Sequence, residues 1–117
     1  MGEKIDYRIK HIGINCGNDM QAQQLLGQLI QFFGVERGRE DQAKVFAGNI
    51  FELMKSSDVG TYGHIALQTN DVELAMKDLA ERGITFREET IRKNEEGKFI
   101  FAYLTQEFGG FAFHLTT

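Results

Sequence analysis

The sequence predicts an α+β domain in which two βαβββ modules share one curved, cup-like mixed sheet, with the helices outside it. Three observations carry that expectation. The chain repeats itself: His11-Ile12-Gly13-Ile14-Asn15 is answered by His64-Ile65-Ala66-Leu67-Gln68, and Gly48, Phe51 and Leu53 return as Gly110, Phe113 and Leu115. Repeats dictate architecture, because each copy must bury the same face. Each copy also opens on an alternating strand that runs into a capped helix with an apolar stripe. Finally, each helix gives way to short alternating runs separated by glycine-containing turns, in a chain with 13 glycines and no proline.

Residues 1–7 read as a lead-in. From Arg8 to Asn15, Ile9, Ile12 and Ile14 alternate with one slip, which makes a strand with His11, Gly13 and Asn15 on one face. Asn18 to Gln21 is a capping box. The helix behind it carries Ala22, Leu25, Leu26, Leu29, Ile30 and Phe33 at a spacing of three and four, and Gly34 stands where a left-handed cap belongs. Residues 35–42 make a short strand or turn. Lys44 to Ala47 is a strand, Gly48-Asn49 a hairpin turn, and Ile50 to Met54 the closing strand, with Ile50, Glu52 and Met54 opposite Phe51 and Leu53.

Lys55 to Gly63 links the copies. Gly63 to Thr69 opens the second, Asn70 to Glu73 is its capping box, and Val72, Ala75, Met76, Leu79 and Ala80 form its helix stripe, closed by Gly83. Ile84 to Ile91 reads as a strand, Asn94 to Gly97 as a turn, Lys98 to Leu104 as the return, and Phe111 to Thr116 as the last strand. The expected division is one domain over 1–117, with module one at about 8–55, a linker at 56–62 and module two at about 63–117.

A chain of 117 residues suffices for one core, and 42% hydrophobic with 26% charged residues is ordinary for a globular protein. The net charge of −4, with scattered Lys and Arg, lacks the basic face that nucleic acid requires. Cys16 is the sole cysteine and has no internal disulfide partner, which suits a reducing cytoplasm. Met1 to Lys10 is polar and charged, unlike a secretory leader. The uncharged stretch from Met20 to Val35 is glutamine-rich and reads as an amphipathic helix, not a membrane span.

All three histidines, His11, His64 and His114, fall at corresponding places in the two copies, and Glu52 occupies the position of His114. Phe51, Leu53, Phe113 and Leu115 belong under the helices, so alternation turns Glu52 and His114 into the cup, beside His11 and His64. Three imidazoles and a carboxylate suit a divalent ion such as Zn, Fe, Ni, Mn or Co with coordination positions left open. Against this stands a satisfied polar core or a metal-free cup. Glu52 is either a plain ligand, a base, or a carboxylate paired with Lys55. The cup forms within one chain or across two.

These residues resemble a known family. His11-Ile-Gly-Ile-Asn, Gly63-His-Ile-Ala, the Glu52 strand and Gly109-Gly-Phe-Ala-Phe-His-Leu are similar to the vicinal oxygen chelate superfamily of glyoxalases, extradiol dioxygenases and bleomycin or fosfomycin resistance proteins. More narrowly, Val45-Phe-Ala-Gly, Glu52-Leu-Met-Lys-Ser and Thr69-Asn-x-Val-Glu resemble the glyoxalase-like domain that follows the barrel in some bacterial 2-dehydro-3-deoxyphosphogluconate/4-hydroxy-2-oxoglutarate aldolases. The resemblance covers about residues 8–116. It implies paired βαβββ modules, frequent homodimers, and a divalent metal held by His11, Glu52, His64 and His114.

That superfamily most often has Glu or Gln where this chain has His114, and a glyoxalase-type isomerase shuttles protons on such carboxylates. Glu52 alone remains as a catalytic candidate. A Schiff-base aldolase needs a reactive lysine inside a barrel of about 250 residues, so this chain is not that aldolase. Two functions are compatible with the residues. One is a metal-dependent lyase or isomerase acting on a small oxo- or hydroxy-acid. The other is a domain that binds such an acid without turnover, linked to sugar-acid metabolism and to an aldolase barrel as partner. Neither implies nucleic acid or membrane.

The remaining residues read more plainly. Cys16 is a small filler. Phe99, Phe101 and Tyr103 are core or the wall of a ligand cup. Arg37, Arg39, Arg92 and Lys93 are solvated charges, with capture of a phosphate or carboxylate as the minority reading.

Overall fold

The computed structural model describes residues 4–117, so the first three residues of the lead-in lie outside the described residues. The chain runs β1 (Tyr7–Asn15), α1 (Asp19–Phe33), β2 (Arg37–Glu40), β3 (Lys44–Ala47), β4 (Phe51–Met54), β5 (Gly63–Thr69), α2 (Val72–Glu81), β6 (Arg92–Lys93), β7 (Phe99–Phe108) and β8 (Phe111–Thr116). All eight strands join one sheet in the order β2-β3-β4-β1-β5-β8-β7-β6. The expected α+β class and cup-like mixed sheet are what the chain adopts.

The order shows the repeat. β1 pairs in parallel with β4, and β5 in parallel with β8, while β1 and β5 meet antiparallel at the centre. A parallel pair needs a long crossover, which the helix and the two intervening strands supply. Each helix buries its stripe on the same side of the sheet as its own module's apolar strand residues. Under α1 lie Ala22, Leu26, Val45, Ala47 and Leu53, with Ile14 and Phe51 packed beside them. Under α2 lie Val72, Ala75, Leu104 and Leu115, with Leu67 and Phe113 beside them. Fully buried Leu26, Leu53 and Leu115 each contribute about 1.5–3 kcal/mol by transfer from water. The opposite face of the sheet is left for the cup.

The Asn18 side chain accepts the Gln21 amide at 2.8 Å, and Gly34 closes α1 in the left-handed region at φ 69°. Four expectations need correction. The α1 stripe ends at Leu29, because Ile30 and Phe33 are exposed and outside the core under this helix. The cap of α2 is Asp71, whose carboxylate accepts the Leu74 amide at 3.0 Å. Asn70 instead ties down the lead-in, accepting the Asp6 amide and donating to the Lys4 carbonyl.

Residues 84–91 are not a continuous strand. Only Phe86 bridges to Leu104, and Glu88–Thr90 form a turn of 3-10 helix. Thr90 is the reason: its hydroxyl donates to the Arg87 carbonyl at 2.6 Å and accepts the Tyr103 amide, in place of a backbone ladder bond. Finally, β7 runs on to Phe108, four residues beyond the expected return. No helix among the described residues is long and apolar enough to cross a membrane.

Candidate metal centre

The strand register explains why the four donors meet. One rung across the sheet reads Glu52 on β4, Gly13 on β1 and His64 on β5. The next reads His11 on β1, Ala66 on β5 and His114 on β8. The rungs are images of each other under the internal repeat, in which Gly13 answers Ala66, His11 answers His64 and Glu52 answers His114. In each, two chemically active side chains flank a small residue. Glu52 and His64 sit on strands two apart, roughly 10 Å between backbones, so they touch only by leaning together over the middle strand.

Gly13 leaves the space for that contact. A Cβ there would lie 2.1 Å from Cε1, 2.3 Å from Nδ1 and 2.7 Å from Nε2 of the His64 ring. With no side chain in the way, His64 Nε2 reaches Glu52 Oε1 at 2.8 Å. His11 Nε2 joins them, 3.3 Å from His64 Nε2 and 3.6 Å from Glu52 Oε1. The ligand atoms of His11, His64 and His114 all lie within 4.8 Å of one another. All four residues expected at the site are therefore brought together, and within one chain.

The electrostatics follow from burial. Glu52, His64 and His114 are buried and His11 is half-buried. Burial opposes ionisation of Glu52, yet hydrogen bonds from His64 and Lys44 outweigh it and hold the carboxyl at about 2. Burial, reinforced by the neighbouring His64 and His11 rings, pushes His114 down to about 4. His11 is lowered as well, by burial that the nearby Glu52 charge offsets in part. Tyr103, part of the cup lining, is raised by burial and stays a phenol.

This donor set fits a divalent ion. Tetrahedral ligands about 2.0–2.1 Å from a metal stand roughly 3.3 Å apart, and the contacts among Glu52, His64 and His11 bracket that spacing. A carboxylate held ionised, and the His11 and His114 imidazoles held toward the neutral form, are the protonation states that coordination requires. Buried Nδ1 of His64 and of His114 have no hydrogen-bond partner, so the protein leaves this cluster unsatisfied by its own groups.

Two features, at Lys44 and Lys10, were not read as site features in the sequence, and the choice between core and cup wall for Phe99, Phe101 and Tyr103 was left open there. Lys44 Nζ, not Lys55, pairs with Glu52, at 3.0 Å to Oε2, whereas Lys55 is tied to Glu40 and Asp19. The signal was present in the two-residue period, since Lys44, Phe46, Glu52 and Met54 share the face opposite Val45 and Leu53. Phe101 and Tyr103 wall the cup, with ring centroids 4.5 and 4.7 Å from His114. Phe99 packs under α2 instead, because an extra residue at Ile100 interrupts the alternation. Lys10 lines the cup beside His11 for the same kind of reason: β1 carries one extra residue between Ile9 and His11.

The imidazole cup of about 290 Å3 adjoins a wider cleft of about 530 Å3, and the two share Lys10, His11, Lys44 and Glu52. The segment between the modules folds against the cup, where Asn15 Nδ2 reaches the Asp58, Val59 and Gly60 carbonyls and Asp58 is part of the lining. Cys16 is half-buried against the first core with its thiol pushed up by burial, in keeping with a filler.

No protein-family model and no curated protein matches the chain. Solved structures do. A methylmalonyl-CoA epimerase in complex with methylmalonyl-CoA and NH4+ superposes with a TM-score of 0.62 at 20% identity, over 94% of this chain and 93% of its own. A hypothetical protein from Bacillus halodurans C-125 gives 0.63 at 18% identity, over 95% and 94%. The epimerase from Mycobacterium tuberculosis gives 0.56 at 15%, over 92% and 85%. At such identities the likeness establishes the fold alone, a shared arrangement of strands and helices over nearly the whole chain.

Proposed function

We propose that this chain is a metal-binding, glyoxalase-like domain that handles a small oxo- or hydroxy-acid. The observation that carries the reading is the convergence of His11, Glu52, His64 and His114 in one buried cluster built by the internal repeat. Zn, Ni, Mn or Fe is the ion expected there. Bound, it supplies Lewis acidity toward two neighbouring oxygens of the ligand.

The chain's own residues do the rest. The imidazoles present their nitrogens from rigid strands, so little reorganisation precedes binding. Phe101 and Tyr103 exclude water from one wall, and the Tyr103 phenol donates toward a ligand oxygen. Among the described residues Glu52 is the one carboxylate in contact with the imidazoles. Held at about 2, it is a weak base, so it acts first as a ligand, and as a proton carrier only when its hydrogen bonds to Lys44 and His64 are exchanged. Lyase or isomerase chemistry rests on that exchange.

The finer reading places the domain in sugar-acid metabolism of the 2-dehydro-3-deoxyphosphogluconate type, as a cytoplasmic homodimer with an aldolase barrel as partner. It rests on the sequence resemblance alone. A second reading, a binder without turnover, draws on a specific observation. Lys44 and His64 already pair with the two oxygens of Glu52, so that carboxylate has its partners without an ion.

Elemental analysis and thermal shift of purified protein test the reading. Near-stoichiometric metal is expected, lost in His64→Ala. Ion at one hundred times its Kd should add about 2.7 kcal/mol to wild-type stability. A protein that takes up no divalent ion, with Tm unmoved by all four, is the result that would sink it. Turnover of oxo-acids then separates enzyme from binder, and sedimentation tests the dimer.

A further inference from the structure

The wider cleft beside the imidazoles has a charge pattern that the metal cluster does not explain. Its lining includes Lys10, Arg39, Lys44, Phe46 and Asn49, and its sole acid, Glu52, is already bonded to Lys44 and His64. With Lys44 set against Glu52, Lys10 and Arg39 give the cleft an excess of two positive charges in a chain of net charge −4, a local field that favours an anion.

Two of those cations reach the cleft through breaks in strand alternation. On β1, Ile9 pairs with Leu67 and His11 with Ala66, so Lys10 is an extra residue. A bulge of this kind re-aims a side chain, and Lys10 lines the same cleft as its neighbour His11. On β2, Arg37 pairs with Ala47 and Glu40 with Val45, which leaves one extra residue at Gly38-Arg39. Strict alternation would put Arg37 and Arg39 on one face. Instead Arg37 turns to the helix side, donating to Gln23 of α1 and to Glu40, while Arg39 lies over the Phe46 ring, 5.0 Å from its centroid. Gly38 permits the bulge, because a Cβ there would meet the Gly48 carbonyl oxygen at 2.6 Å and the Phe46 Cβ at 2.8 Å.

Among the described residues Arg39 has no carboxylate partner, since Glu40 is held by Arg37 and Lys55. A planar guanidinium laid on an aromatic ring and left without a counter-ion is a ready fork for phosphate or carboxylate oxygens. We infer that this cleft is an anion subsite, and that the acid handled at the imidazole cluster carries a second anionic group, phosphate or carboxylate, bound by Arg39 and Lys10. The inference deepens the proposed function and rests on its placement of the first acid group at the cluster.

Calorimetric titration tests it with matched probes, glycerate against 3-phosphoglycerate and lactate against malate, on zinc-loaded wild type, Arg39→Met and Arg39→Lys. The wild type should bind the doubly anionic member of at least one pair roughly tenfold more tightly, as a new charge-assisted bidentate contact provides. Arg39→Met should reduce that preference to within about threefold with zinc content unchanged, and Arg39→Lys should keep part of it. The phosphate pair responding alone names a phosphoryl group, and the malate pair alone a carboxylate.

Equal affinities within both pairs, or an unaltered preference in Arg39→Met, would overturn the inference while zinc uptake leaves the metal reading standing. Should the protein take no zinc, the metal reading fails by itself. Inorganic phosphate titrated into metal-free protein then decides the subsite: binding abolished in Arg39→Met supports it, and no binding to wild type refutes it.

Discussion

Gly13 is the residue on which the site geometry turns, although it carries no functional group. Restoring a Cβ forces the His64 ring off the strand that separates it from Glu52. Gly13→Ala should therefore weaken zinc binding by about 10–100-fold, the usual cost of disturbing a ligand's support, with far-UV CD unchanged. An affinity equal to wild type would show that the ring has another place to stand.

The buried titratable groups set a second expectation, for the metal-free protein. His114 is held at about 4, below its ordinary 6.5, so the unfolded chain takes up that proton first and stability falls as pH drops from about 6.5 to 4. Glu52, held at about 2 and not its ordinary 4.5, extends the loss from about pH 4.5 downward. Urea midpoints against pH should lose the upper part of this slope in His114→Gln and the lower part in Glu52→Gln.

At this scale the sequence was a good guide wherever the repeat applied, since the repeat places His11, His64, His114 and Glu52 without reference to any contact. It could not place Lys10 or Arg39. A period of two assigns faces only between bulges, and the bulges on β1 and β2 depend on register with a partner strand that the local sequence does not state.

Among the elements, the helices were legible because caps and stripes are local chemistry, and the misplaced α2 cap is instructive. Asn70 and Asp71 both suit an N-cap, and the choice was made elsewhere, by Lys4 and Asp6 claiming the Asn70 amide. Asp71→Ala should lower stability by about 0.5–2 kcal/mol in urea titration. Asn70→Ala should act differently, loosening the lead-in against β5 and raising amide exchange at Asp6. Residues 84–91 misled for the opposite reason: their apolar alternation is real, but a hydroxyl thirteen residues along the chain from Tyr103 takes over its ladder amide. In the cores, Leu26→Ala and Leu115→Ala should each cost about 2–5 kcal/mol, read from denaturant midpoints. A single transition in each variant, coincident for probes placed in either module, would mean that the two modules unfold as one cooperative body.

For the molecule as a whole, the βαβββ pairing followed from the repeat, and the joint between the halves did not. Nothing local in either copy states that β1 and β5 lie antiparallel side by side, yet that seam brings the donors of both copies to one point. Glu52 reaches over β1 to a partner from the second copy, and His114 shares its rung with a partner from the first. Neither half owns the centre: each brings two donors, too few to hold an ion firmly.

The pooling of donors across the seam is thus an obligation between the halves of this chain. Cut between Ser57 and Val59, the two fragments should part in chelator and reunite when zinc is returned, with the ion acting as the clasp.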